Sequence, residues 1–420
     1  MSYKKFLFFI FLFLFNFLYS ANWPTFMANN ERTGFVSQTI LPPLNELWKF
    51  QIQGDIFSSP VVYENIVYIC SRNGYIYSLN ALNGQLIWDY STDGEINATP
   101  SISSNSIIVP SMDLKLYCFD RLNGNIIWTA DLGAPSILSQ LILDNRVYVG
   151  VSEPENSLKV FDLFTGKLIY KFQINQPLQS APSTDGSNIY FGANDGKIYS
   201  INKNNGNLVS GFPYQFTGGS FNTNSIAYSS GSIYSLPGHD ERKLFKTRSS
   251  DGLLLNQSVE LTENSDTFGW DWQRVASPLI SSSVVYSLAG SNDYYLIGLD
   301  KNDLSKVIVS SVNLGSIGNN NVLPSAIMAN DIIFLNTPDA RFMVISSTGG
   351  ILQEINLATG SYSTPAVSDG RVFIGVNGGA LIAYKADKYI SFSKPYDNEI
   401  INGTYTIKVN VLNPQATAYT

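Results

Sequence analysis

Apolar residues along this chain come in short runs set between turns rich in Asn, Asp and Gly. The runs alternate as half-buried strands do and do not follow helical spacing. Val61-Val62-Tyr63 reads as a short strand after Pro60, and Glu64-Asn65 turns it into a second, Ile66 to Cys70. Arg72-Asn73-Gly74 leads into a third strand, Tyr75 to Asn80, and the turn Asn80 to Gly84 opens a fourth that runs through Trp88. The same order returns from Leu114 to Trp128, from Leu158 to Tyr170 and from Lys197 to Val209.

A small residue and a proline stand upstream of most copies, at Ser59-Pro60, Thr99-Pro100, Ala181-Pro182, Ser277-Pro278, Leu323-Pro324 and Thr364-Pro365. Ser139-Gln140 and Phe221-Asn222 fill the gaps, which makes eight units. Four short antiparallel strands in roughly 42 residues is one blade, so the repeat predicts an all-β, eight-bladed propeller. The third-to-fourth-strand turn has its own chemistry. Asn80, Asp120, Asp162 and Asn202 fold a side-chain oxygen onto the following amides, and Gly84, Gly124, Gly166 and Gly206 take the positive φ that the hairpin needs.

Closure is written at the two ends of the repeat. Glu46 to Gly54 matches a fourth strand, Trp48 included, with no strands before it, whereas the last unit, Pro365 to Tyr384, lacks its fourth. The N-terminal strand is therefore expected to complete the last blade and hide the edges of an open array.

Composition narrows the function. Aromatics are 13% and charged residues 14%, which suits β-rich folding, and the formal charge of −7 gives no basic stripe for a nucleic-acid partner. Two cysteines, Cys70 and Cys118, exclude a disulfide scaffold and a Cys-built metal site. The single histidine, His239, lies in the charged loop Pro237 to Arg242, and no nucleophile-elbow pattern accompanies it. No catalytic, cofactor or metal residue is assigned. Residues 1–20, with Lys4-Lys5, the apolar run Phe6 to Phe15 and a small residue at Ser20, read as a secretory signal peptide cleaved after Ser20. No cysteine follows the run to carry a lipid, and no later segment is apolar enough to span a membrane. The mature chain is expected to be extracytoplasmic and monomeric.

Trp23-Pro24-Thr25-Phe26 with Arg32-Thr33-Gly34, and a repeat ending Asp/Asn-x-x-x-Gly-x-x-x-Trp, resemble the propellers with quinoprotein-type repeats over about residues 22–387. The resemblance implies an eight-bladed ring in which Trp48, Trp88 and Trp128 dock between neighbouring blades. Tyr170, Ser210 and Asn256 replace the tryptophan later. For the quinone-dependent enzymes of the family it would also imply adjacent cysteines, a calcium site and a catalytic aspartate, and no adjacent cysteine pair exists here.

The spacing of the proline marks lengthens before Pro278, and the insertion carries Trp270, Trp272 and Arg274. These, with Arg72 on a second-to-third-strand loop, are the candidate partner contacts, since Trp and Arg concentrate at the energetic centres of interfaces. Residues 389–420, with Asn402-Gly403 and the alternating run Thr404 to Val411, resemble the opening strands of a bacterial immunoglobulin-like domain that is cut short. The domains expected are thus a signal peptide (1–20), the propeller (21–388) and the start of that sandwich (389–420). The function expected is a non-catalytic, exported scaffold binding an envelope or surface protein or a polysaccharide, similar to the propeller scaffold that assists outer-membrane barrel assembly. A carbohydrate-active enzyme or binder using the funnel is the alternative, and a quinone-dependent dehydrogenase stands third.

Overall fold

A computed structural model describes residues 22–216, 226–237, 243–259, 261, 276–290, 293–316, 324–337 and 339–390. The signal-peptide segment 1–20, His239, Trp270, Trp272, Arg274 and all of the tail beyond Ile390 lie outside the described residues. Within them every element is a strand, and none is a helix long and apolar enough to cross a membrane.

Eight sheets follow one another around the ring, each with four antiparallel strands in the predicted order from axis to rim. Blade 1 is Val61–Tyr63, Ile66–Cys70, Tyr75–Asn80 and Leu86–Ser91. Blades 2 and 3 repeat it from Ser101–Ser103 to Ile126–Asp131 and from Leu141–Leu143 to Leu168–Gln173. Blade 4 departs from the expectation. Its fourth strand is only Tyr214–Gln215, and Leu208 makes just a bridge to Ile201. Gly211, at φ 87°, and Pro213 break the run that sequence spacing would have continued.

The ring closes as the two incomplete ends predict. Thr39–Gln51 is the outermost strand of blade 8, antiparallel to Ala380–Ile390, with Glu46 opposite Tyr384 and Gln51 opposite Ala380. The strand starts earlier than Glu46, because Pro42 and Pro43 sit at a register shift between Leu41 and Leu44 and need no ladder hydrogen bond. Tyr389 and Ile390 also belong to this ladder, opposite Ile40 and Thr39.

The docking tryptophans hold neighbouring blades together in a way the sequence shows only in part. The Trp48 indole N–H donates to the Ala81 carbonyl at 3.1 Å, Trp88 to Arg121 at 2.9 Å and Trp128 to Leu163 at 2.9 Å, each in the next blade. Tyr170 keeps the geometry with its hydroxyl, which donates to the Lys203 carbonyl at 3.0 Å. The turn glycines do have positive φ, and they have a second reason to be glycine. A Cβ on Gly84 or Gly124 would lie 2.7 Å from the ring of Trp48 or Trp88. The ring is thus seated on bare backbone, and any side chain there would lift it.

A second relay runs through the residue before the proline marks. The Ser277 amide donates to Ser325 Oγ (2.9 Å), that of Ser325 to Thr364 Oγ1 (3.0 Å), that of Thr364 to Ser59 Oγ (3.0 Å) and that of Ser59 to Thr99 Oγ1 (2.9 Å). In blade 7 the position is therefore Ser325, two residues beyond the Leu323 of the sequence marks. All of these hydroxyl residues are buried, so each bond satisfies a main-chain amide that water cannot reach.

Candidate functional site

The two faces of the ring differ. One carries the first-to-second and third-to-fourth strand turns; the other carries the second-to-third loops and the connections between blades. On the first face the axis is closed by Asn22 to Val36. The Val62 amide donates to the Trp23 carbonyl, Ile102 to Pro24, Thr184 to Asn30, Tyr228 to Glu31, Ile280 to Thr33 and Met328 to Gly34. Phe35–Val36 then adds in parallel to Ile327–Ala329 of blade 7 as a fifth, innermost strand. One segment thus reads the inner strands of the blades in ring order.

Arg32 is the hub of this plug. Its guanidinium is fully buried and donates to Thr25 Oγ1 (2.6 Å) and to the carbonyls of Phe26 (2.7 Å), Gln140 (2.8 Å) and Pro182 (3.1 Å). Burial pushes its pKa down to about 9, only partly offset by Glu31. The motif Arg32-Thr33-Gly34 was visible in the sequence, but nothing in its spacing said that it fills the axis.

Arg72 lies on the opposite face, in the second-to-third-strand loop of blade 1. It is not a free arginine. Its Nε and Nη2 donate to the two carboxylate oxygens of Glu95 at 3.0 and 3.2 Å. The guanidinium also stacks over Phe57, 4.8 Å from the ring centre. Phe57 in turn meets Tyr362 edge-on at 4.9 Å. Tyr362 comes from the connection into blade 8, Phe57 from that into blade 1 and Glu95 from that into blade 2, so three connections build one platform. Arg72 and Glu95 keep 39% and 44% of their side-chain surface exposed, which leaves the platform reachable.

Sequence reading found Arg72 but missed Phe57, Glu95 and Tyr362. The signal was the position two residues before the small-residue mark. There the chain holds Phe57, Asn97, Ile137, Gln179 and Tyr362, a different side chain each time beside an otherwise regular repeat. All five are partly exposed.

Other bases on this face are also committed, Lys115 to Asp93, Lys159 to Glu155, Lys197 to Asp195 and Arg341 to Asp339. Lys159 is also the main cause of the lowered Glu155 pKa. Apart from the buried Lys159, these groups are at least partly exposed, and such pairs add little stability but fix side chains in place.

The residues do not fit the quinone chemistry that the repeat resemblance implies. Cys70 packs in the apolar cluster of blades 1 and 2, and Cys118 in that of blades 2 and 3. Both are free thiols, and burial pushes both up, Cys118 to about 11. Among the described residues no group of three or more His, Cys, Asp and Glu side chains is placed to hold a metal ion.

Several solved structures share the fold. BamB from Moraxella catarrhalis superposes with a TM-score of 0.67 at 14% identity, covering 82% of this chain and 100% of that one. A quinohemoprotein alcohol dehydrogenase from Comamonas testosteroni gives 0.72 at 13% identity, covering 87% and 80%. The computationally designed Ika8 protein gives 0.65 at 17%, covering 81% and 99%. No curated protein matches the sequence. The profile of the PQQ_2 family, described as outer membrane protein assembly factor BamB, matches residues 45–142 and 115–323. With its blades, closing strand and docking tryptophans accounted for, the chain belongs to this family of propellers.

Proposed function

We propose that this protein is an exported scaffold that binds a protein partner through the open face of its ring, at the cell envelope, without catalysing a reaction. The observation that carries the reading is the platform of Arg72, Phe57 and Tyr362 on the face opposite the plug. An arginine held by a bidentate carboxylate and stacked on an aromatic ring is already ordered. A partner that covers it loses little side-chain entropy, and Arg and aromatic side chains dominate the energetic centres of interfaces. The leader-like residues 1–20 support export, and the family description supports an outer-membrane assembly role. The dehydrogenases of the same fold keep catalysis in view, but the two separate buried thiols here speak against it.

The test is capture from envelope extract on immobilised protein, beside a dye-linked oxidation assay with pyrroloquinoline quinone and calcium. The reading predicts a discrete protein partner that is lost with Arg72→Glu, and no turnover. Turnover in the assay, or retention of oligosaccharide in place of protein, would replace it by the enzyme or the carbohydrate binder.

A further inference from the structure

The plug satisfies the inner-strand amides of blades 1, 2, 4, 5, 6 and 7, and among the described residues it makes no such bond in blades 3 and 8. In blade 8 that residue is Val367, which is fully buried, and in blade 3 it is Ile142, which stands where Val62, Ile102 and Thr184 stand in their blades. Its carbonyl accepts from Asn30 Nδ2 at 2.9 Å, so its main-chain groups point at the axis as theirs do. Its amide has no acceptor from the plug, because the chain turns away between Thr25 and Asn29. Ile142 is half-buried where Val62, Ile102 and Thr184 are buried.

A recess of about 330 Å³ opens at this place, lined by Ile142, Asn30, Glu31 and Ser103 with Pro24 and Ile102 as apolar walls. Glu31 has no cationic partner among the described residues other than its neighbour Arg32, whose guanidinium is spent on three carbonyls and a hydroxyl. The recess therefore offers one main-chain donor in strand geometry, one side-chain amide and one unpaired carboxylate. We infer that it is a docking site for an extended peptide segment carrying a basic side chain. The carbonyl of that segment takes the Ile142 amide, as Pro24 takes Ile102 in the preceding blade, and its cation meets Glu31. This is strand addition of a single rung, with charge setting the choice of segment. The site lies on the plugged face, away from Arg72, and stands whether or not the Arg72 platform binds a protein.

The experiment uses the whole chain and acetyl-alanyl-lysinamide as probe, followed by amide NMR. In the free protein the Ile142 amide should exchange with solvent faster than those of Ile102 and Thr184. The probe should shift the Ile142 resonance downfield, at least fivefold more tightly than acetyl-alanyl-glutaminamide. Glu31→Gln should remove that preference, and Ser103→Trp, which fills the recess, should remove the shift. A protected Ile142 amide, no shift with the lysine probe, or an equal response to N-acetylglucosamine would overturn the proposal.

Discussion

The Thr364 amide donates to Ser59 Oγ at 3.0 Å across the seam where the last blade meets the first. The two residues are far apart in sequence, yet they repeat a contact that joins Ser325 to Thr364 and Ser59 to Thr99. The seam is thus bonded as the blade boundaries on either side of it are.

Ser59→Ala removes the acceptor and leaves a buried amide unpaired. Stability should fall by about 1–3 kcal/mol. Urea unfolding would show this as a lower midpoint at an unchanged slope.

Gly124→Ala tests the docking glycines. The added Cβ meets the Trp88 ring at 2.7 Å, and the backbone is at φ 73°. A loss of about 1–3 kcal/mol is expected from the strained conformation and the displaced indole together. Combined with Trp88→Ala, the loss should be less than additive, which a double-mutant cycle in urea reads directly.

The repeat, the blade count, the closing strand and the turn glycines were legible because each follows from local pattern and repeats several times. Blade 4 was not, since Gly211 and Pro213 divert a strand whose apolar spacing looks ordinary. The plug was not legible either. Trp23 to Gly34 has no strand period, and its bonds go to blades far along the chain. At the open face, Arg72 could be picked out by residue type, whereas Phe57 and Tyr362 come together only through the closure of the ring.

Arg32→Lys keeps the charge but cannot reach acceptors spread over Thr25, Phe26, Gln140 and Pro182. About 2–4 kcal/mol of stability should be lost. Hydrogen exchange at the Thr184 and Tyr228 amides should accelerate, while the third strand of each blade keeps its protection.

Alkaline pH should destabilise the ring. Burial raises the phenols of Tyr68, Tyr234, Tyr286 and Tyr384 from 10.0 to about 12. Their contribution is complete below pH 10 and is lost as pH rises toward 12, because the unfolded chain ionises first. Arg32 acts in the opposite sense above about 9, and so do Lys301 and Arg371, whose pKa values burial also lowers. Tyr77 and Tyr148 are raised as well, and the buried phenols outnumber these bases. The melting temperature should be flat from pH 7 to 9 and then fall, in step with tyrosinate absorbance.

The central claim is that the open face, through the Arg72 platform, binds a protein. A photo-crosslinking side chain placed at Asn97, beside Glu95 on the same face, is compared with one at Phe164, exposed on the outer turn of blade 3. In living cells the account predicts a discrete protein adduct from position 97 that disappears with Arg72→Glu, and none from position 164. An adduct from position 164 alone, or one at position 97 indifferent to Arg72, would contradict it.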